Sequence, residues 1–163
     1  MKNNDTDLSI IIPVVNEKEH FPIMISVLES IVKIRHEIIV VYDQPDDITI
    51  EIAKQFQKKY PNINLVQNKK SFGVRNAIST GIDNAKSKII LIIVIDEIFP
   101  IIAINDMYRL ITEYNCDFVS GTRYSLGGKR YGGSIIGHIL SRLANFLFQK
   151  LSGSIFSDCT TGI

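Results

Sequence analysis

Runs of apolar side chains recur along the chain at intervals that suit alternating strands and helices. Five runs rich in Ile and Val predict β-strands, at 8–15, 37–42, 62–66, 88–95 and 117–120. The strand starts lie 25–29 residues apart, the length of a strand plus a crossover helix. Because these runs are continuously apolar rather than alternating, both faces of the sheet must be covered. The pattern predicts an α/β fold with a mainly parallel central sheet and helices on both faces.

Other segments repeat apolar residues every three or four positions, as amphipathic helices do. These repeats predict helices over 21–32, 74–85, 104–111 and 135–151. In the last segment an apolar stripe runs from Ile136 to Leu151, while Ser141, Asn145 and Gln149 share another face. The polar face of this helix is expected to be available for binding.

Composition and charge favour a small-molecule enzyme over a nucleic-acid or membrane-spanning protein. The chain has 163 residues, enough for one domain with a proper core, and its net charge of +1 offers no electrostatic footprint for nucleic acid. Its most apolar segment, 89–104, contains acidic residues and is shorter than the ~20 residues that a spanning helix needs. Two cysteines are too few for a disulfide framework, which indicates a reducing cytoplasm.

Polar side chains follow three of the predicted strands. The first strand ends in Pro13 to Glu17, the second in Tyr42 to Thr49, and the fourth in Asp96 and Glu97. In parallel α/β sheets, ligands sit beyond the carboxyl ends of the strands, so these groups predict a polar pocket. Taken singly, Asn16 and Asp47 are equally well explained as helix N-caps.

The order of motifs resembles the family-2 glycosyltransferases, which have the A-type nucleotide-sugar (Rossmann-like) fold. Within that family it resembles the polyprenyl-phosphate sugar transferases of the dolichol-phosphate mannose synthase type. The segments that carry the resemblance cover nearly the whole chain: LSIIIPVVNE, EIIVVYDQPDDIT, GVRNAISTGIDNAKS, DFVSGTRY, GGKRYGG, LSRLAN and DCTTGI. Each motif alone is weak, but seven in order at near-family spacing are specific.

The resemblance implies a binding site for a nucleotide-sugar donor. It assigns the nucleobase and ribose to Pro13, Glu17 and Asp43, and the diphosphate to Arg75. An arginine at the start of a helix suits a diphosphate, because the N-terminal end of a helix also attracts anions.

The resemblance also implies a divalent cation, Mg²⁺ or Mn²⁺, held by the catalytic residue Asp96. Asp96 matches the second Asp of the family's Asp-x-Asp motif, but Val94 stands at the first Asp and Ile98 replaces a further polar residue. The metal site is therefore depleted. Asp96, with or without Glu97, would need donor phosphates and waters to complete the coordination of a hard cation.

On the acceptor side, the resemblance assigns a lipid phosphate to Arg123, Ser141 and Arg142, and catalytic roles to Arg123 and Asp158. Cationic and hydroxyl groups would position the phosphate, which is already largely ionised near neutral pH because its second pKa is ~6. The family usually carries another arginine where this chain has Gly137.

Together these matches imply that residues 1–163 form a single family-2 catalytic domain, truncated at its C-terminus. The implied reaction is an inverting sugar transfer to a polyprenyl phosphate at the inner face of the cytoplasmic membrane, in the biosynthesis of cell-envelope glycans. Two alternatives remain: transfer to a glycan or protein hydroxyl, and a catalytically impaired nucleotide-binding protein on the same fold. The sequence leaves the donor, the acceptor and the oligomeric state open, a homo-oligomer included.

Overall fold

A computed structural model describes residues 6–96, 98–124, 128 and 134–159 of the chain. The chain divides into two compact units, Met1–Asp106 and Met107–Ile163. The elements, in chain order, are β1 (Leu8–Val14), α1 (His20–Ile31), β2 (His36–Tyr42), α2 (Thr49–Lys59), β3 (Ile63–Gln67), α3 (Val74–Asn84), β4 (Ile90–Ile92), a 3₁₀ helix (Phe99–Ala103), α4 (Ile104–Glu113) and α5 (Ile135–Ser152).

The first unit is built on a parallel sheet with the strand order β3-β2-β1-β4. Strand β1 pairs with β2 along its whole length, from Leu8 opposite His36 to Val14 opposite Tyr42. Consecutive residues of the two central strands are fully buried, namely Ile10, Ile11, Ile12, Ile38, Ile39, Val40 and Val41. Burial of consecutive residues requires cover on both faces. The predicted α/β fold with a parallel sheet is confirmed.

Helix α3 packs closely on one face of the sheet. Ile11, Ile39 and Val41 form a buried cluster with Ala77 of this helix. Gly81 lies against Ile11, where a Cβ atom would collide with the Cγ2 of Ile11. Helices α1 and α2 contact each other through the edge-on rings of Phe21 and Phe56, whose centroids are 5.9 Å apart.

Strand β4 is shorter than the apolar run that predicted it. Its pairing with β1 spans Ser9 to Ile11, and one further bond runs from the Ile93 N–H to the Ile11 carbonyl. The next donor on that edge of β1 would be Pro13, which has no N–H. The ladder therefore ends there, and the two strands stop being bonded at the carboxyl edge of the sheet.

The secondary structure differs from the prediction in two places. Residues 117–120 are not a strand: Phe118 is 64% exposed and packs edge-on against Phe156, with ring centroids 5.1 Å apart. The run DFVS offers two apolar residues, too few to bury a strand on both faces. Helix α2, for its part, was not among the predicted helices and was implied only by the spacing between strands.

Helix α5 directs two of its polar residues, Asn145 and Gln149, at segment 156–159 of its own unit. Asn145 is buried and its Oδ1 accepts a hydrogen bond of 2.6 Å from the backbone N–H of Cys159, while Gln149 donates to the carbonyl of Phe156. Its exposed side chains include Arg142, Lys150 and a series of large apolar residues: Ile135, Ile136, Ile139, Leu140, Leu143, Phe146, Leu147, Phe148 and Leu151. The expectation that the polar face is available for binding is therefore wrong for Asn145 and Gln149, because segment 156–159 uses their side chains to satisfy its backbone.

In the part of the chain that is described, no helix combines the length and the apolar character needed to cross a bilayer.

Candidate functional site

The loops that follow β1 and β2 are tied together at the carboxyl edge of the sheet. The backbone N–H of Asn16 donates to Asp47 Oδ2 over 3.1 Å, and the N–H of Glu17 donates to Thr49 Oγ1 over 2.8 Å. Asp47 also accepts from the N–H of Thr49, the first residue of α2, over 2.8 Å. The N-cap residue of α2 is Ile48, so Asp47 precedes the cap, where it braces the start of the helix and also anchors Asn16, whose φ is +54°.

Asp43 lies directly after β2 and is held by two neutral donors. Asn68 Nδ2 donates to its Oδ1 over 2.6 Å, and the backbone N–H of Gly73 donates to its Oδ2 over 3.1 Å. A carboxylate oxygen has two lone pairs, so one hydrogen bond on each oxygen leaves acceptor capacity for a ligand. Asn68 was missed by the sequence reasoning, since its partner lies 25 positions away.

Three other predicted donor ligands lie on the same edge. Pro13 sits near the end of β1, and Glu17 follows it with its Oε2 2.9 Å from His20 Nδ1. Arg75 is exposed in the first turn of α3, which begins after Gly73 at a φ of +121°. The topology thus places Pro13, Glu17, Asp43 and Arg75 at or just beyond the carboxyl ends of β1, β2 and β3. Their roles stay predictions.

Exposed apolar residues stand on the same loops. Val15 follows β1, Ile48 precedes α2, and Phe72 precedes Gly73, with Phe72 69% exposed. An apolar surface beside a hydrogen-bonding carboxylate suits a flat heterocycle, because a base presents both a face and a polar edge.

Asp96 follows the end of β4 and is exposed, while Val94 is half-buried. Among the described residues no three His, Cys, Asp or Glu side chains come together as a metal-binding group, and Glu97 lies outside those residues. One carboxylate alone does not make a protein-built metal site. It fits a hard cation only where substrate phosphates and waters supply the other ligands, so the predicted cofactor stays a prediction.

In the second unit, Arg123 and Asp158 form a bidentate ion pair in which the carboxylate is buried and the guanidinium is partly exposed. Arg123 Nε and Nη2 donate to the two carboxylate oxygens over 2.7 and 2.8 Å, and the Arg123 backbone N–H donates to Oδ2 over 3.2 Å. The Asp158 side chain is 0% exposed and that of Arg123 is 26% exposed. The two residues to which the resemblance assigns catalytic roles on this unit are thus bound to each other, and the Asp158 carboxylate is occupied by three hydrogen bonds from Arg123.

Tyr124 brings the predicted acceptor residues together. The Cζ atoms of Arg123 and Arg142 lie 5.4 and 5.8 Å from the centroid of its ring, and its hydroxyl donates to Ser141 Oγ over 2.6 Å. Two guanidinium groups and a hydroxyl around one aromatic ring are the groups that a phosphate monoester binds. Sequence reasoning gave Tyr124 no role, although the residue adjoins Arg123.

Parts of two motifs fall outside the described residues. Of GGKRYGG only Gly128 is described, and of DCTTGI the last four residues are not described.

Comparison with protein families matches residues 9–163 to the model described as Glycosyl transferase family 2. A dolichol-phosphate mannosyltransferase of Pyrococcus furiosus is 29% identical over 123 residues, which are 75% of this chain and 34% of that protein. The uncharacterized glycosyltransferase YibD of Escherichia coli K12 is 31% identical over 101 residues, 61% of this chain and 29% of that protein. The chain spans about a third of the length of these relatives.

Two solved structures share the fold. The crystal structure of S. aureus TarS 1–349 has a TM-score of 0.57 at 19% identity, covering 68% of this chain and 33% of that one. TarS 1–349 in complex with UDP-GlcNAc gives 0.54 at 18% identity, covering 68% and 32%. The parallel sheet with flanking helices is thus of the A-type glycosyltransferase class, and with nearly the whole sequence matched by the family model, this chain belongs to glycosyl transferase family 2.

Proposed function

We propose that this chain carries the catalytic part of a transferase that moves a sugar from a nucleotide-diphosphate sugar to a polyprenyl phosphate, with inversion. The observation that carries the proposal is the grouping of Arg123, Arg142 and Ser141 around Tyr124. This set suits a phosphate acceptor, and the name of the Pyrococcus furiosus relative points to the same acceptor class. An acceptor of this kind implies work at a membrane surface.

On the donor side, Asp43 and Glu17 accept hydrogen bonds from the nucleoside, and Arg75 offsets charge on the diphosphate. The bound UDP-GlcNAc of the TarS structure supports a nucleotide-sugar donor for this fold. Asp96 is the residue that would hold a divalent cation. Such a cation, when bound, would offset charge on the departing diphosphate.

The acceptor phosphate supplies its own nucleophile. One of its oxygens attacks the anomeric carbon from the face opposite the leaving group, a new C–O bond forms, and the nucleoside diphosphate departs with the electron pair of the broken bond. Since the phosphate is ionised near neutral pH, its second pKa being ~6, no side chain has to remove a proton. The chain's residues orient and neutralise the reactants.

A hydroxyl acceptor is the runner-up, and it requires a general base. Asp158, to which the resemblance assigns a catalytic role, is the candidate base, but its carboxylate accepts three hydrogen bonds from Arg123. A binding-only protein is the third candidate, motivated by Val94, Ile98 and Gly137 at positions where the family carries polar groups.

The test combines donor binding with transfer. UDP-, GDP- and CMP-sugars are screened by thermal shift with and without Mg²⁺ or Mn²⁺, and transfer is then measured to a short-chain polyprenyl phosphate. Arg142→Ala should lower the transfer rate tenfold to a hundredfold, since charge-assisted hydrogen bonds contribute roughly 1.5–3 kcal/mol. Ser141→Ala should lower it less, because its hydroxyl is a neutral donor.

Donor affinity should be unchanged in both variants. Arg109→Ala, which removes an exposed arginine of α4 that pairs with Glu113, is the matched control and should leave both quantities unchanged. Equal transfer by wild type and Arg142→Ala would contradict the phosphate acceptor. Donor binding without any transfer by the wild-type chain would favour the binding-only protein.

A further inference from the structure

Asn68 is a buried amide in which both ends of the side chain are engaged. It follows the last residue of β3 and is 6% exposed. Its Nδ2 donates to Asp43 Oδ1 over 2.6 Å and to the carbonyl of Ser71 over 3.2 Å. Its Oδ1 accepts from the N–H of Lys70 over 2.9 Å and from Thr80 Oγ1 over 3.0 Å.

These partners allow one orientation of the amide. A flipped side chain would set Oδ1 against the Asp43 carboxylate and Nδ2 against the Lys70 N–H, losing the bonds and adding repulsion. Thr80 of α3 is itself buried. The helix therefore orients Asn68, and Asn68 in turn orients the carboxylate at the end of β2.

The contrast with the second unit shows what a neutral partner achieves. Asp158 is paired with a guanidinium, which offsets its charge. Asp43 is held by a side-chain amide and a backbone N–H, which fix its position and leave its negative charge in place. A carboxylate fixed in this way remains a strong acceptor for an incoming N–H or O–H group.

We infer that Asn68 is a positioning residue for the donor nucleotide: it holds the Asp43 carboxylate in the orientation that accepts a hydrogen bond from the nucleoside. The inference rests on the proposed function, since it takes Asp43 as a nucleoside ligand. Asn68 would contact no substrate itself and would act on nucleotide binding only through Asp43. The competing explanation is that Asn68 only orders the loop from Lys69 to Gly73.

The test separates nucleotide affinity from stability in four variants. Asn68→Ala and the isosteric Asn68→Asp remove the donor to Asp43. Asn76→Ala is the matched control, because Asn76 braces the same loop through the carbonyl and hydroxyl of Ser71, both over 2.8 Å. The exchange Asp43→Asn with Asn68→Asp rebuilds the hydrogen bond with its polarity reversed. UDP, GDP and CDP are titrated by calorimetry, and Tm is measured by circular dichroism.

Both Asn68 variants should raise the Kd of the nucleoside diphosphate that the wild type binds best by roughly tenfold or more. Asn76→Ala should lower Tm by a few degrees and leave this Kd within about twofold. The exchange variant should regain most of the lost Tm but still bind weakly, because it has no carboxylate at position 43. A merely structural residue would not separate the two quantities.

Two results overturn the inference while the proposed function stands. One is that the folded Asn68 variants bind the nucleoside diphosphate with the wild-type Kd. The other is that Asn76→Ala loses as much affinity for this nucleotide as the Asn68 variants do. If wild-type protein binds none of the three nucleotides, the proposed function fails first, and the inference fails with it.

Discussion

Replacing Arg123 with alanine should destabilise the second unit, besides removing a proposed phosphate ligand. The change leaves the Asp158 carboxylate, 0% exposed, without its guanidinium partner. Breaking a buried ion pair from one side costs about 3–5 kcal/mol. Arg123 is partly exposed and its backbone N–H still donates to Asp158, so we expect the lower end, about 3 kcal/mol.

Urea unfolding followed by far-ultraviolet circular dichroism measures this loss, since α5 contributes to the helical signal. Arg123→Lys keeps the charge but not the bidentate geometry, so its loss should be smaller than that of Arg123→Ala. The double variant Arg123→Met with Asp158→Leu removes both charges and should regain most of the stability.

An unfolding midpoint of Arg123→Ala equal to that of wild type would refute the reasoning. It would mean that burial of the Asp158 carboxylate does not depend on the ion pair with Arg123. A loss of sugar transfer in Arg123→Ala could then be assigned directly to the missing proposed phosphate ligand. If the predicted loss is found, transfer rates of Arg123→Ala report stability and binding together. Arg142, whose described contacts include no ion pair, is then the cleaner probe of the acceptor.

Three further predictions concern the first unit. Asp96→Asn should weaken metal-dependent donor binding more than Glu97→Gln does, as measured by calorimetry with and without Mg²⁺. The reverse ranking would show that the register of the motif is shifted by one residue, from Asp96 to Glu97. Gly81→Ala should cost about 1–3 kcal/mol in urea unfolding, because its Cβ collides with Ile11, and an unchanged midpoint would contradict the close packing. The hydrogen bond from Arg35 holds the pKa of Asp7 below its ordinary 3.8. The Asp7–Arg35 pair therefore stabilises the fold fully at pH values above 3.8, and this stabilisation is lost as the pH falls through the lowered pKa. Asp7→Asn should lower Tm near pH 6 and have little effect on Tm near pH 2. A difference in Tm that does not depend on pH would refute the prediction.

The sheet could be predicted from the sequence because its signal is local and dense. Four apolar runs correspond to β1 through β4, and the continuous burial of Ile10 to Ile12 is the reason that their pattern does not alternate. The run at 88–95 was predicted too long, since its pairing depends on Pro13, which lies on another strand. The run at 117–120 failed because an apolar residue can also pack ring to ring, as Phe118 does with Phe156.

The position of the candidate site could be predicted from the sequence, but the hydrogen bonds and ion pairs within it could not. Strand ends mark the edge where Asp43 and Asp96 lie, whatever the rest of the chain does. The Arg123–Asp158 pair joins residues 35 positions apart, and the Asp43–Asn68 bond joins residues 25 apart. Such partners depend on how the chain folds back on itself, and a single sequence carries no local signal for them.

The bonds that join the loops after β1, β2 and β3 make the rim at the carboxyl edge of the sheet stiff before any ligand arrives. Asn16 is tied to Asp47, Glu17 to Thr49, and Asp43 to Gly73. Ordering a free side chain on binding costs about 0.5–1.5 kcal/mol, and a rim ordered during folding avoids much of that entropy loss. The same stiffness limits how far the backbone can adjust to a new base. Changes of donor preference should therefore arise through exposed side chains that no such bond restrains, with Val15 and Phe72 the first positions to vary.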